Sequence, residues 1–231
     1  MRRALPLAAC LGFAPLRAQA DPGTYAAQLT RLRAEQGALQ ARWRAAPDDT
    51  TRGAVLAEAR ALIFDRVVHD LIPAWEGTPW EFYGTTETPG EGTIACGYYV
   101  STLLRDAGFR VERVKLAQQA SERIIQTLTP PELIWRTHDA GVARSLEPLE
   151  EHGDGLYLVG LDCHVGLLVR EAGAVRFCDA SYLDPSAVTC QDPETAQSYR
   201  SRYRVVGMLL SDPMMRGWLD GRAFPTVTGR R

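Results

Sequence analysis

The stretch GTIACGYYVSTLLRDAGF, residues 92–109, places one cysteine between a turn-rich segment and an amphipathic run. From Cys96 to Asp106 apolar residues recur three and four positions apart, which predicts a helix that begins at the cysteine and ends before Gly108. The unpaired N–H groups of a helix start favour a thiolate and can bind a developing oxyanion. This position suits a nucleophile; the alternative interpretation is a small apolar residue packed under the helix start.

A histidine and an aspartate in the second half of the chain are candidate partners for this thiol. His164 stands at the start of the run HVGLLV, and a second run from Ala174 to Ser181 contains Asp179. A hairpin loop of two or four residues puts Asp179 on the same face as His164, whereas a three-residue loop turns it away. An acid there holds the imidazole tautomer and leaves the other ring nitrogen for the thiol. Asp162 is the rival for this role.

Hydrophobic spacing predicts that the first half of the chain is mainly helical. Residues 22–46 and 53–72 repeat apolar side chains at helical intervals on either side of PDDTTRG, and Pro73 is expected to end the second helix. We therefore expect a helical hairpin over residues 21–73 that covers the core of the following domain; substrate binding is its alternative role. The run FRVERVKL, residues 109–116, predicts a strand.

The second half changes to a β-type pattern. Apolar and β-branched runs separated by turn signals predict an antiparallel sheet from residues 154–162, 164–182 and 203–212. Helices followed by such a sheet indicate an α+β fold, with a catalytic domain over residues 74–212. The last segment, residues 213–231, is expected to be a loosely ordered tail.

The first twenty residues are typical of a secretory signal peptide. Arg2 and Arg3 precede the apolar stretch ALPLAACLGFAPL, and AQA ends the segment, which predicts cleavage after Ala20. A lipoprotein cleavage box ending at Cys10 is the alternative, although almost no apolar sequence precedes it. No later run is long and apolar enough for a membrane helix, so we expect no integral membrane span and a periplasmic or secreted protein.

Net charge and the spacing of the cysteines limit the kinds of ligand that the protein is expected to bind. The formal net charge is −2 and no basic stripe follows any predicted helix, so a nucleic-acid partner is not expected. The cysteines lack metal-ligand spacing, and the sequence predicts neither a metal site nor a cofactor. An oxidising compartment permits disulfides, and a Cys178–Cys190 bond would close a short loop beside the site. The side chain of Cys163 is expected to point away from the cleft.

Three segments taken in order resemble the NlpC-type papain-like cysteine hydrolases of bacterial cell walls. They are GTPWEFYGTTETPGEGTIACGYYVSTLLRDAGFRV, GDGLYLVGLDCHVGLLV and FCDAS, which together span residues 77–181. The resemblance implies a papain-like domain whose helix-borne cysteine packs on an antiparallel sheet. It also implies that Cys96 is the nucleophile, His164 the general base and Asp179 the orienting residue. The implied reaction is hydrolysis of an amide in a peptide substrate, the peptidoglycan stem peptide.

The chain departs from that family at several positions. The usual DCSG is ACGY here, and the family's substrate-binding tyrosine aligns with Trp80, which has no hydroxyl. Tyr83 is the candidate to replace it, and Gln118 is a further candidate donor to an oxyanion. Two other functions share these features: a thiol acyltransferase or amidase with another substrate, and a non-catalytic module that keeps the fold. The sequence leaves the oligomeric state open.

Overall fold

The computed structural model describes residues 22–229. The expected signal peptide, residues 1–20, lies outside this range, so its cleavage stays a prediction. The helices are α1 (Pro22–Ala45), α2 (Asp49–Asp65), α3 (Ile72–Trp75), α4 (Cys96–Asp106), α5 (Arg113–Ala117), α6 (Ser121–Leu128), α7 (Val142–His152) and α8 (Asp212–Leu219). The strands are β1 (Arg110–Val111), β2 (Ile134–His138), β3 (Gly155–Leu161), β4 (Val165–Glu171), β5 (Ala174–Ala180), β6 (Val188–Gln191), β7 (Tyr203–Met208) and β8 (Ala223–Phe224).

Six strands form one antiparallel sheet in the order β2-β7-β3-β4-β5-β6. With the helices that precede it along the chain, this sheet confirms the predicted α+β class. The three predicted β-type runs contain the central strands β3, β4, β5 and β7. The edge strands β2 and β6 were not predicted, because their sequences IWRTH and VTCQ are short and carry polar residues. Among the described residues, no helix has both the length and the apolar composition that crossing a bilayer requires.

The hairpin between β4 and β5 has the two-residue loop that the sequence offered as one alternative. Glu171 pairs with Ala174 across the loop, and Leu167 pairs with Cys178 further along. The two loop residues, Ala172 and Gly173, have φ values of 49° and 81°. Positive φ at both positions is the pattern of a tight turn that matches the twist of antiparallel strands. This loop sets the register that decides where Asp179 lies.

The N-terminal helices share one hydrophobic core with the sheet. Apolar side chains of α1 to α4 belong to one buried cluster with those of β3, β4 and β5, and within it α4 packs directly on β4 and β5. The hydroxyl of Tyr25 in α1 donates to the carboxylate of Asp106 at the end of α4 over 2.7 Å. Trp75 donates its ring N–H to the same tyrosine oxygen over 3.0 Å. The carboxyl-terminal end of α4 is therefore held by α1.

The expectation that Pro73 ends the second helix is wrong. A π-helical turn, Arg66–Leu71, follows α2, and the chain continues as α3 through the proline to Trp75. The proline is the second residue of α3, directly after the π-helical turn, and Leu71 and Ile72 before it keep helical φ and ψ, so the helix is continuous through it. The continuation carries Trp75 into the core, where it is fully buried.

The predicted strand over residues 109–116 is also wrong. Only Arg110–Val111 is extended, as β1, which pairs in parallel with β8, and α5 begins at Arg113. A tertiary contact overrides the local β-preference here, because the buried Arg113 side chain donates to the hydroxyl of Thr102 on α4 over 2.7 Å.

The carboxyl-terminal segment differs from the expected loosely ordered tail. Residues 212–219 form α8, whose apolar positions at helical spacing are buried. The ring N–H of Trp218 donates to the carbonyl oxygen of Ala107 over 2.9 Å. This contact joins α8 to the end of the helix that begins at Cys96.

Candidate active site

The start of α4 is fixed by the loop that precedes it. The N–H of Ala95 donates to the carbonyl oxygen of Gly84, and the N–H of Ile94 donates to that of Pro79, both over 2.9 Å. Ala95 is extended and no side chain caps the helix. The first N–H groups of α4 therefore have no capping side chain beside the Cys96 thiol, which is the electrostatic setting expected for a nucleophile.

Gly84 is required by the close packing of this loop. A Cβ atom at this position would lie 2.5 Å from the backbone nitrogen of Ile94, which is shorter than a real contact. The absence of a side chain lets the two parts of the loop touch and lets Gly84 accept the hydrogen bond from Ala95.

The structure brings the thiol, the imidazole and the carboxylate together. His164 Nε2 lies 2.7 Å from Asp179 Oδ2, and both side chains are only 2% exposed. The Cys96 thiol lies beside the same imidazole ring, near enough for each group to shift the pKa of the other. Because Nε2 faces the carboxylate, Nδ1 is the ring nitrogen left for the sulfur. The three side chains thus form a continuous chain of contacts from the helix start to β5.

The site favours a charged pair of thiolate and imidazolium. Burial raises the pKa of Cys96. The hydrogen bond and charge of His164 lower it, as do the N–H groups of Val165 and Gly97. Together these lowering effects exceed the effect of burial, so the net pKa lies below that of an ordinary thiol. Burial lowers the pKa of His164, whereas Asp179 and Cys96 raise it, and the net pKa is about 9. Both shifts favour a proton on the ring and a negative charge on sulfur near neutral pH.

Asp162, the rival for the third position, is held elsewhere. Its carboxylate accepts from the Ser201 hydroxyl over 2.7 Å and from the Arg202 N–H over 2.8 Å. These bonds lower the pKa of Asp162 and direct its side chain to the loop before β7. Of the two acids, the one that contacts the His164 ring is therefore Asp179.

Two cavities meet at the thiol. The larger, of about 550 Å³, we call the aromatic arm; its wall includes Trp80, Phe82, Tyr83, Tyr98, Gln118 and Tyr182. The smaller, of about 230 Å³, we call the polar arm; it includes Gln119, Ser121 and Asp162. Cys96 and His164 line both arms. A substrate bond placed at the sulfur would therefore extend into a different environment on each side.

The substrate candidates from the sequence all line the aromatic arm. Trp80 packs against Tyr182 with a centroid separation of 6.1 Å, and Tyr83 is exposed at the mouth of the arm. Gln118 Nε2 lies 3.4 Å from the Tyr98 hydroxyl. Sequence reasoning missed Tyr98, although its position two residues after the cysteine, on the first turn of α4, was a usable signal.

Cys163 does not point away from the cleft, so that expectation is wrong. Its side chain is exposed and lines both arms. The alternation of a strand does not extend to this residue, because residues 162 and 163 form a bend and β4 begins only at Val165. A second free thiol therefore lies in the cleft beside the histidine.

The predicted Cys178–Cys190 disulfide is confirmed. The two sulfurs are bonded, and the residues are directly paired across β5 and β6 with their Cα atoms 4.1 Å apart. Cys178 precedes Asp179 in β5. The bond therefore ties the strand that carries the acid to the edge strand of the sheet.

Arg113 holds the loop and the cleft wall together. Its guanidinium donates to the carbonyl oxygens of Thr85 and Thr86 over 2.9 Å each, and to the hydroxyl of Thr102. Its terminal carbon also lies 5.0 Å from the centre of the Tyr98 ring. A side chain engaged in this way positions the loop against α4.

The residue after the cysteine also has no room for a side chain. A Cβ at Gly97 would lie 2.3 Å from the carbonyl oxygen of Ala117 in α5. We expect Gly97→Ala to displace α5 together with Gln118, to lower the free energy of unfolding by about 1–3 kcal/mol and to slow turnover. Urea unfolding and an activity assay measure the two effects.

Gly37 provides the matched control for this substitution. It lies within α1, and a Cβ there would meet nothing within 4 Å. Gly37→Ala should therefore keep activity and raise stability by about 0.4–1 kcal/mol. Equal stability changes for the two variants would show that the approach of α5 to Gly97 is unimportant.

No group of three or more His, Cys, Asp or Glu side chains within residues 22–229 is arranged to hold a metal ion. Comparison of the chain with protein-family models, with curated proteins and with solved structures gave no significant match. The site is thus interpreted from its own geometry: a thiol at a helix start, a buried imidazole in contact with it and a buried carboxylate behind the ring.

Proposed function

We propose that this protein is a papain-like cysteine hydrolase that cleaves an amide bond through an acyl-enzyme intermediate. The observation that carries the proposal is the chain of contacts from Cys96 through His164 to Asp179, at the meeting point of two cavities. If these three side chains only stabilised the fold, the thiol would need neither a lowered pKa nor a place in the wall of a cleft. Perturbed ionisation of a cavity-lining nucleophile is a general mark of functional sites.

The proposed reaction has two halves. In the first, the Cys96 thiolate attacks the substrate carbonyl, and the N–H of Cys96 at the start of α4 stabilises the oxyanion. His164 then gives its proton to the leaving amine, which departs as the carbon–nitrogen bond breaks. In the second, His164 takes a proton from a water molecule, whose oxygen attacks the thioester. The acid product leaves and the thiolate–imidazolium pair is restored, with Asp179 holding the ring throughout.

The resemblance to NlpC-type hydrolases supports a peptide substrate of the bacterial cell wall. The predicted signal peptide supports the same location, since it would deliver the protein to that substrate outside the cytoplasm. Peptidoglycan stem peptides are therefore the first substrates to test, by mass spectrometry of the products. Adding a simple amine separates hydrolysis from acyl transfer, because a transferase would form a new amide with it.

Selective alkylation tests the proposed nucleophile. We expect iodoacetamide at about pH 6 to label Cys96 faster than Cys163, because the lowered pKa of Cys96 raises its thiolate fraction at that pH. Cys163 is the more exposed of the two, so accessibility alone predicts the opposite order. Peptide mass spectrometry of samples quenched over time measures both rates.

The same chain in urea is the control for this measurement. Unfolding removes the helix start and the contact with His164, so the two thiols should then react at similar rates. Faster labelling of Cys163 in the folded protein, or equal labelling of both thiols, would contradict the proposed role of Cys96.

A further inference from the structure

Exposed large hydrophobic side chains gather at one place on the described surface. Among residues 22–229 they are Phe82, Tyr83, Val114 and Tyr182, with exposed fractions of 69%, 83%, 52% and 39%. All except Val114 line the aromatic arm. Single exposed apolar residues scattered over a protein need no explanation, but a cluster around a cavity marks a binding surface.

The aromatic arm offers no partner for a charged substrate group. Apart from the Cys96–His164 pair, its described wall contains no side chain with a formal charge. Arg113 lies over the Tyr98 ring but does not line the arm, and its side chain is 8% exposed. A carboxylate or ammonium that entered the arm would lose water without gaining a counter-charge, which is costly.

The polar arm has the opposite character. The polar residues Gln119, Ser121 and Asp162 contribute to its wall. The groups on the two sides of a bond placed at the sulfur would therefore enter arms of different polarity.

At about 550 Å³ the aromatic arm also has the size of an ordinary small-molecule site.

We propose that the aromatic arm binds an uncharged group of the substrate, an aromatic ring or an alkyl chain, directly beside the bond that is cleaved. This inference rests on the proposed function, because Cys96 must be the reacting thiol. It narrows the substrate to amides with a bulky apolar group on one side. Peptides that would place an acidic side chain in the arm are poor substrates under this proposal.

A series of chloroacetamides tests the proposal without requiring turnover. The Cys96 thiolate attacks the chloromethyl carbon, chloride leaves and a thioether forms, which intact-mass spectrometry detects. The series contains unsubstituted chloroacetamide and its N-phenethyl, N-hexyl and N-carboxyethyl forms. The Cys163→Ala protein is used, so that one free thiol remains among the described residues.

We expect the phenethyl or hexyl reagent to react at least about tenfold faster than the carboxyethyl reagent, because burial of a group of this size accounts for such a factor. The comparison of phenethyl with hexyl shows which apolar group the arm prefers. Slow reaction of all four reagents would contradict the proposed function itself. Fast reaction without discrimination, or preference for the carboxylate, would overturn the arm's proposed specificity and leave the nucleophile intact.

Substitutions in the arm locate the effect. Phe82 and Tyr83 are exposed, so replacing both by serine should leave the core unchanged. In this double variant the ratio of phenethyl to carboxyethyl rates should fall at least about threefold, since part of the apolar contact is lost. Val114→Ser is the matched control, because this exposed side chain lies outside the arm and the ratio should not change. Equal ratios in all three proteins would place the preference outside the aromatic arm and overturn the proposal.

Discussion

Replacement of Cys96 by alanine is expected to lower hydrolysis at least about ten-thousand-fold, because the variant lacks the thiol that the proposed mechanism uses to form the acyl-enzyme. The change removes only a sulfur atom, and the contacts that hold α4 to the first helix and to α8 lie at its other end. The fold should therefore persist. Product formation is measured by mass spectrometry over long incubations, and circular dichroism checks the fold.

Cys163→Ala is the matched control for this variant. Cys163 lines the same cavities, but the thiol that raises the pKa of His164 is that of Cys96. This variant should therefore retain most of the activity. Comparable losses in the two variants would show that the cleft uses Cys163 as well, and activity that survives in Cys96→Ala would refute the acyl-enzyme mechanism.

Replacement of Asp179 by asparagine should reduce turnover by more than about tenfold and up to about ten-thousand-fold. An amide can donate to His164 Nε2 and so favour the wrong tautomer for a ring whose Nδ1 must serve the thiol. The loss should appear mainly in kcat rather than in KM, because positioning a base acts on the transition state. Steady-state kinetics separate the two constants.

The pH profile provides a second measurement on the same variant. The leaving amine takes its proton from imidazolium, so activity should fall as pH rises through the His164 pKa of about 9. The hydrogen bond and charge of Asp179 help to raise this pKa, and their loss should move the alkaline limb to lower pH. Asp162→Asn is the control, since this acid contacts the 201–202 loop and should leave the limb in place. An unchanged limb in Asp179→Asn would contradict the assigned contact.

Local sequence rules predicted the parts of the site that depend on short-range geometry. The helix that begins at Cys96 follows from spacing of three and four, and α4 begins at that residue. His164 and Asp179 lie on the same face of the sheet because the hairpin loop has two residues. A shift of one residue in the register would turn Asp179 to the opposite face. The loop length itself was not determined by the sequence.

Tertiary contacts decide the parts that local rules missed. Arg113 lies in a helix rather than a strand, and its partners Thr85 and Thr86 are nearly thirty positions away. Trp218 is buried in the shared core, and its ring N–H has a carbonyl acceptor at the end of α4, which no pattern in the tail reveals. The aromatic arm likewise combines residues from the loop near Trp80, from α4 and from the segment after β5. Such assemblies follow from the path of the whole chain.

The contact of Tyr25 with α4 means that the N-terminal helices support the helix that carries Cys96 and are an integral part of the domain. The carboxylate of Asp106 and the ring N–H of Trp75 are both buried and both are hydrogen-bonded to the tyrosine hydroxyl of α1, and Asp106 accepts a second bond from Arg105 over 2.8 Å. Removing the hairpin would leave these polar groups without that partner and expose the apolar side of α4. The smallest part of the chain that keeps α4 in place therefore includes α1, and a shorter version would need another surface to cover α4.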